Sequence, residues 1–180
     1  MGGRTTELQE GLVLLDAVLS NDELHRFKLV RQWDAGKPSV LFVMLNPSTA
    51  DAKENDATIN KCIRYARSWG FGGVTVGNLF SIRTKDPLEM HRATTSDRLD
   101  LLENDLHLKA MRSECDLCIV AWGNHGERYP GRLQEVLELL GECHALRITK
   151  RHQPAHPLYL ASTRTPFAVQ REPNGLLRRR

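Results

Sequence analysis

The segment Val40-Leu41-Phe42-Val43-Met44-Leu45 is a continuous apolar run that stops abruptly at Asn46-Pro47-Ser48-Thr49-Ala50-Asp51. A run that is apolar at every position predicts a strand buried on both faces, and the amide, proline and small polar residues predict the loop that leaves it. Buried strands that end in reactive side chains are where α/β proteins place their chemistry.

The rest of the chain supplies neighbours for such a strand. Leu8, Leu12, Leu15 and Leu19 recur at helical spacing and predict an amphipathic lead-in helix within residues 1–24. Phe27, Leu29 and Arg31 alternate with their neighbours as a half-exposed strand does. After the Asn46 loop, Asp56 is placed to cap a helix carrying Ile59, Cys62, Ile63, Ala66 and Trp69 on one side, with Gly70 to end it. Val74 to Gly77 reads as a second strand running into Asn78-Leu79-Phe80. A helix is expected from Asp97 to about Met111 with Leu99, Leu102, Leu106 and Ala110 along one side. Leu117 to Trp122 reads as a third strand, followed by Gly123-Asn124-His125-Gly126 and a helix bearing Leu133, Val136, Leu137 and Leu140. A fourth strand, Ala145 to Thr149, empties into a loop holding His152, Pro154, His156 and Pro157.

Strands alternating with amphipathic helices point to an α/β fold, a three-layer α/β/α sandwich with a mostly parallel central sheet. The chain has 180 residues and neither repeat nor low-complexity linker, which suits one α/β/α domain over residues 25–165 and a basic, solvated tail over 166–180. No apolar run approaches the ~20 residues that cross a membrane. Met1-Gly2-Gly3-Arg4 opens no signal peptide, so a cytoplasmic protein with its four cysteines as reduced thiols is expected. A net charge of +3 is compatible with a nucleic-acid partner without requiring one.

In a parallel sheet the carboxyl ends of the strands share one edge. Asn46, Asn78, Asn124, His125 and His156 are therefore expected to face a single cleft although they are distant in sequence.

Those clusters, taken in order, resemble the motifs of the uracil-DNA glycosylase superfamily. Leu45-Asn46-Pro47-Ser48 is similar to its first motif in the form that carries asparagine, as in the mismatch-specific and thymine-DNA glycosylases. Val76-Gly77-Asn78 resembles a base-reading strand end, Val120-Ala121-Trp122-Gly123 its third strand, and His156-Pro157-Leu158-Tyr159-Leu160 its histidine-proline motif. The runs LNPSTAD, NLF, AWGNHG and HPLYL are more closely similar to a bacterial family known as domain of unknown function 1643, over roughly residues 25 to 160. The chain departs from the glycosylases at Leu45 or its neighbour Met44, one of which replaces their glycine, and at Ser48, where uracil-specific members carry an aromatic residue. The acidic stretch Thr49 to Asn55 is also longer than its glycosylase counterpart.

The resemblance implies a uracil-DNA-glycosylase-like fold and a hydrolase that acts on the N-glycosidic bond of a nucleobase in DNA or a nucleotide, without a cofactor or metal. Asn46 would then position water and His156 would stabilise the leaving base; Asp51, read from the residues alone, is open to binding a metal or to supplying the basicity that an amide lacks. Asn78 would read the base, with Pro47, Ser48, Phe80, Trp122, Gly123, Asn124 and His125 on the substrate-binding side. Leu158 and Leu160 would be wedges that hold a flipped nucleotide out of a duplex.

Plainer roles stand beside these. Asn46-Pro47 also suits a turn that stops a strand, His156 a cap or core histidine, Asp56 an N-cap, and Leu158 and Leu160 packing under the C-terminal segment. Cys115 and Cys118 form a CxxC with no second pair at zinc-site spacing, which favours small buried residues. Scattered Arg83, Lys85, Lys150, Arg151 and Arg164 make either a basic rim or an ordinary solvated surface. Two further function classes stay open: a non-catalytic nucleic-acid or nucleotide binding module, and a metal-dependent enzyme on a small nucleotide-like substrate. The oligomeric state is not legible.

Overall fold

A computed structural model of the chain describes residues 11, 13–48, 54–86, 89–92, 99–172 and 176–180. Its strands are β1 (Leu14–Leu19), β2 (Arg26–Gln32), β3 (Ser39–Met44), β4 (Gly73–Asn78), β5 (Leu117–Val120), β6 (Cys143–Ala145), β7 (Phe167–Arg171) and β8 (Leu177–Arg179). Its helices are α1 (Ala57–Ser68), α2 (Leu99–Glu114) and α3 (Pro130–Leu140).

The strands form one sheet in the order β1-β2-β4-β3-β5-β6-β7-β8. Three pairings are parallel, β4 with β3, β3 with β5 and β5 with β6. The other four, β1 with β2, β2 with β4, β6 with β7 and β7 with β8, are antiparallel. The sheet is thus mixed and mostly antiparallel, which corrects the expected mostly parallel sheet. The error lay at the flanks, where strands join without a crossover helix and no alternation of strand and helix announces them.

Two flank segments account for it. The leucines read as a lead-in helix include Leu15 and Leu19, which lie in β1 and pair antiparallel with β2. A spacing of four puts two residues on one side of a strand as readily as of a helix, so these leucines cannot decide between them. At the other end, the expected solvated tail contributes β7 and β8, with Cys143 opposite Val169 and Ala145 opposite Phe167, and Leu177 is buried.

β3 has the burial its composition requires. Val40, Phe42 and Met44 pack with Ile59, Ile63 and Ala66 of α1, whereas Leu41 and Val43 pack with Leu108 and Met111 of α2 and with Leu133 and Val136 of α3. Each fully buried side chain of this size contributes roughly 1.5–3 kcal/mol. α1 begins as expected, with the Ile59 N–H donating to the Asp56 carboxylate at 2.8 Å. α3 ends at Gly141, whose φ of 69° is the left-handed turn glycine permits.

α2 is rotated from its expected face. Leu102 is 62% and Leu106 72% exposed, while Asn104, Leu108 and Met111 are buried. Gly77 of β4 has no side chain to block them: a Cβ there would lie 2.6 Å from Met111 Cε and 2.8 Å from Leu108 Cδ2. All four cysteines are buried free thiols, including both residues of the CxxC. Cys118 Sγ lies 4.0 Å from Cys143 Sγ on the neighbouring strand, and that contact together with burial holds the Cys118 thiol above its usual range. Among the described residues no helix is long and apolar enough to cross a membrane.

Candidate functional site

Where β4, β3, β5 and β6 run parallel, their carboxyl ends meet at one edge, and backbone hydrogen bonds continue past the strands to hold the loops. Leu79 N–H donates to Met44 O at 2.8 Å, Phe80 N–H to Leu45 O at 3.0 Å, and Gly123 N–H to Pro154 O at 2.8 Å. The side chains at this edge therefore stand on braced backbone.

Asn46 is the most firmly held of them. Its Nδ2 donates to the carbonyls of Thr84 at 2.7 Å, Pro47 at 3.1 Å and Ile82 at 3.4 Å. Three acceptors around one nitrogen fix which way the amide faces, and Oδ1 is left as an acceptor with no protein partner among the described residues. The strap over residues 82–84 is itself tied down, since Thr84 N–H donates to Pro47 O at 3.2 Å.

His156 is half-buried and caps the short 3-10 helix Pro157–Tyr159, its Nδ1 accepting from the Leu158 N–H at 3.4 Å. An accepting Nδ1 puts the proton of the neutral ring on Nε2, which becomes a donor. Burial pushes the His156 pKa down from its ordinary value, against a smaller opposing pull from Asp56, so the ring is neutral at neutral pH.

Two clefts open at this edge. The first, of about 350 Å3, is lined by Asn46, Trp122, Gly123, Asn124, His125 and His156 together with Leu45, Arg147, Thr149, Ala155 and Tyr159. The second, of about 310 Å3, is lined by Asn46, Ser48 and His125 with Leu45, Thr84, Lys85, Asp86, Met90, Arg128 and Tyr129. Asn46 and His125 thus stand on the wall between them. Gly123 has φ 75° and ψ −175°, a backbone region essentially closed to other residues, and a Cβ there would lie 3.5 Å from His156 Cβ. Trp122 is buried and donates from Nε1 to Gln153 Oε1 at 2.9 Å, while Asn124 Oδ1 accepts from the Thr149 hydroxyl at 2.7 Å.

Other expected residues fall elsewhere. Asn78 lines neither cleft: it ends β4 at 1% exposure, and neither its Oδ1 nor its Nδ2 has a hydrogen-bond partner. Leaving a buried polar group unpaired costs about 1–3 kcal/mol, and the fold carries that cost at the end of β4. The backbone beneath it is braced by Asn104 Nδ2, which donates to Asn78 O at 3.0 Å and Leu79 O at 3.2 Å, and by Arg132 Nε, which donates to Leu79 O at 2.9 Å. Arg132 also pairs with Asp105 at 2.6 Å.

Phe80 is buried behind the second cleft, edge-on to Tyr129 with ring centroids 4.8 Å apart. Pro47 is buried as well. Leu160 packs in the core beside α1 and Leu158 is half-buried, so Leu160 is no protruding wedge; the exposed member of that motif is Tyr159, at 79%. The motif alone does not say which of its apolar residues turns outward. Asp51 lies outside the described residues. Asp56 is spent as the cap of α1, and Arg151 is paired with Glu127 at 2.7 Å. Among the described residues no group of three or more His, Cys, Asp and Glu is placed to hold a metal.

Sequence reasoning missed Thr84, Asp86, Arg128, Tyr129, Arg147, Thr149 and Tyr159 as cleft residues. Arg147 and Thr149 were placed inside the fourth predicted strand, Ala145 to Thr149, but β6 ends at Ala145, which puts both in the loop that follows it. Arg128 and Tyr129 follow the Gly123–Gly126 turn and become wall residues because a 3-10 helix, Asn124–Arg128, carries them back over the edge.

Comparison with curated proteins and with solved structures returned no match. The family model described as "Protein of unknown function (DUF1643)" matches residues 26–158, which span the site from β2 through His156 and Leu158. This chain therefore belongs to the DUF1643 family.

Proposed function

We propose that this protein is a hydrolase that cleaves the N-glycosidic bond of a nucleobase in DNA or a nucleotide, in the manner of the uracil-DNA glycosylases. The observation that carries the reading is the joint presence of a pinned Asn46 and a neutral His156 on the walls of one cleft. Water held on Asn46 Oδ1 would attack the anomeric carbon as the carbon–nitrogen bond breaks. The bonding pair leaves with the base, and the proton released from the water ends on the base or in solvent.

The transition state has oxocarbenium character at the sugar and negative charge on the base, and each end finds a suitable group. His156 Nε2–H is a preorganised donor for the departing base, of a kind worth about 3–4 kcal/mol in the transition state. Asn46 orients water without removing its proton, because an amide has no basicity near neutral pH. Asn78 lines neither cleft, so its position lends no support to the base-reading role expected of it.

One observation favours a binding module without chemistry: no carboxylate lines the cleft that Asn46 shares with His156 among the described residues. Release of free base from a panel of nucleotides and modified oligonucleotides separates the two readings. Base release by the native protein, lost on Asn46→Ala in a variant that keeps its fold by circular dichroism, is the result expected of a hydrolase. Unchanged turnover in that variant would sink the assignment, and saturable binding without release by the native protein would favour the module.

A further inference from the structure

We infer that the second cleft is a phosphate subsite, taking the phosphate of a nucleotide whose base lies in the first cleft, so that the ligand straddles Asn46. The inference rests on the base-binding reading above and adds the part of the substrate that reading leaves out. The two clefts share Leu45, Asn46 and His125 as a common wall. Each is at the small end of the roughly 300–1,000 Å3 found for ligand pockets, which suits one half of a two-part ligand in each.

The number and placement of cations distinguish the halves. Lys85 reaches the second cleft from the strap before residue 87, and Arg128 reaches it from the 3-10 helix, so two cations approach from separate segments. Neither meets a carboxylate among the described residues. Lys28, Lys37, Arg132 and Arg151, by contrast, are each matched with one. Among the described residues Asp86 is the one carboxylate on that cleft, so each cleft carries one net positive charge and the second differs in having two cations, with Ser48 and Tyr129 contributing hydroxyls. The Thr84 hydroxyl is occupied by the Glu89 carboxylate. Among the described residues the first cleft has a single side-chain cation, Arg147, which also meets no carboxylate, beside the neutral His156. A guanidinium and an ammonium converging on one pocket are the usual means of holding a phosphate.

The experiment is titration calorimetry of the full chain with inorganic phosphate, with four nucleosides and their 5′-monophosphates, and with a single-stranded trinucleotide. The same titrations are repeated on the double variant Lys85→Ala, Arg128→Ala, whose substitutions are at the surface and whose folding a thermal melt verifies. Saturable phosphate binding is expected, with monophosphates at least roughly tenfold tighter than their nucleosides. In the double variant the ratio should fall to near one with nucleoside affinity unchanged, and Arg128→Lys should keep part of it. A tighter monophosphate identifies a free nucleotide as the source of the phosphate, and a tighter trinucleotide identifies a nucleic-acid strand. No saturable phosphate binding, or a ratio unaltered in the double variant, overturns the subsite. Phosphate preference without base release sinks the hydrolase and keeps the subsite, whereas base release without phosphate preference does the reverse.

Discussion

Two asparagines stand at the ends of neighbouring parallel strands and are treated in opposite ways. Asn46 follows β3 and has its Nδ2 surrounded by three backbone carbonyls, whereas Asn78 ends β4, opposite Met44, with neither amide atom partnered. The first arrangement spends half of the amide on structure so that the other half has a fixed direction. The second leaves a buried donor and acceptor unpaired, a cost that falls on the stability of the fold. One strand end is held facing the clefts and the other is sealed away from them, so of the two only Asn46 stands where a ligand can reach it.

The braces behind Asn78 give the sharpest way to break that comparison. Arg132→Ala leaves Asp105 without its cation and the Leu79 carbonyl without one of its donors, and should destabilise the protein by about 3 kcal/mol, measured by urea denaturation. A loss within the scatter of ordinary surface substitutions would mean that the strand end does not depend on this network. Next in size, Asn46→Ala should reduce base release by roughly a hundredfold or more. The fold should survive, because the strap keeps its own bond from Thr84 N–H to Pro47 O.

Asn78→Leu removes an unsatisfied amide and is expected to raise stability by about 1 kcal/mol, a gain of about 2–4 °C in Tm for a chain of this size. Ligand binding should be unchanged, because Asn78 lines neither cleft. A less stable variant would show that the fold depends on this amide, and loss of binding would put Asn78 in contact with the ligand. The smallest effect concerns pH. The folded His156 pKa lies below the ordinary value of 6.5, so between the two the unfolded chain binds the extra proton. The contribution of His156 to stability is then full above 6.5 and declines as the pH falls through that window. Protonation also sets Nδ1–H against the Leu158 N–H, two donors face to face. His156→Gln should flatten this part of the stability profile, and an unaltered slope in chemical denaturation from neutral to mildly acidic pH would remove the argument.

α1 and α2 show how much of this was readable. α1 has one apolar stripe and a capping aspartate, and both were used as expected. α2 has two stripes, and the more conspicuous leucines, Leu102 and Leu106, face outward. Packing chose the other one, because Asn104 reaches the carbonyls of Asn78 and Leu79 and Gly77 makes room for Met111. The site divides in the same way. Asn46, Gly123, Asn124, His125 and His156 were legible as strand-end residues and do share a cleft, while Asn78 and Phe80, chosen by the same rule, lie behind its walls.

By itself the sequence determined what depends on near neighbours: a strand buried on both faces at Val40–Met44, the Asp56 cap, and polar loops where buried strands stop. Tertiary structure decided the antiparallel flanks, the outward turn of Tyr159, the direction of the Asn46 amide and the pairing of Lys85 with Arg128 on one cleft. The division is physical. Burial periodicity and capping act over three or four residues, whereas sheet order, cleft walls and the satisfaction of a buried amide are settled by partners tens of residues away.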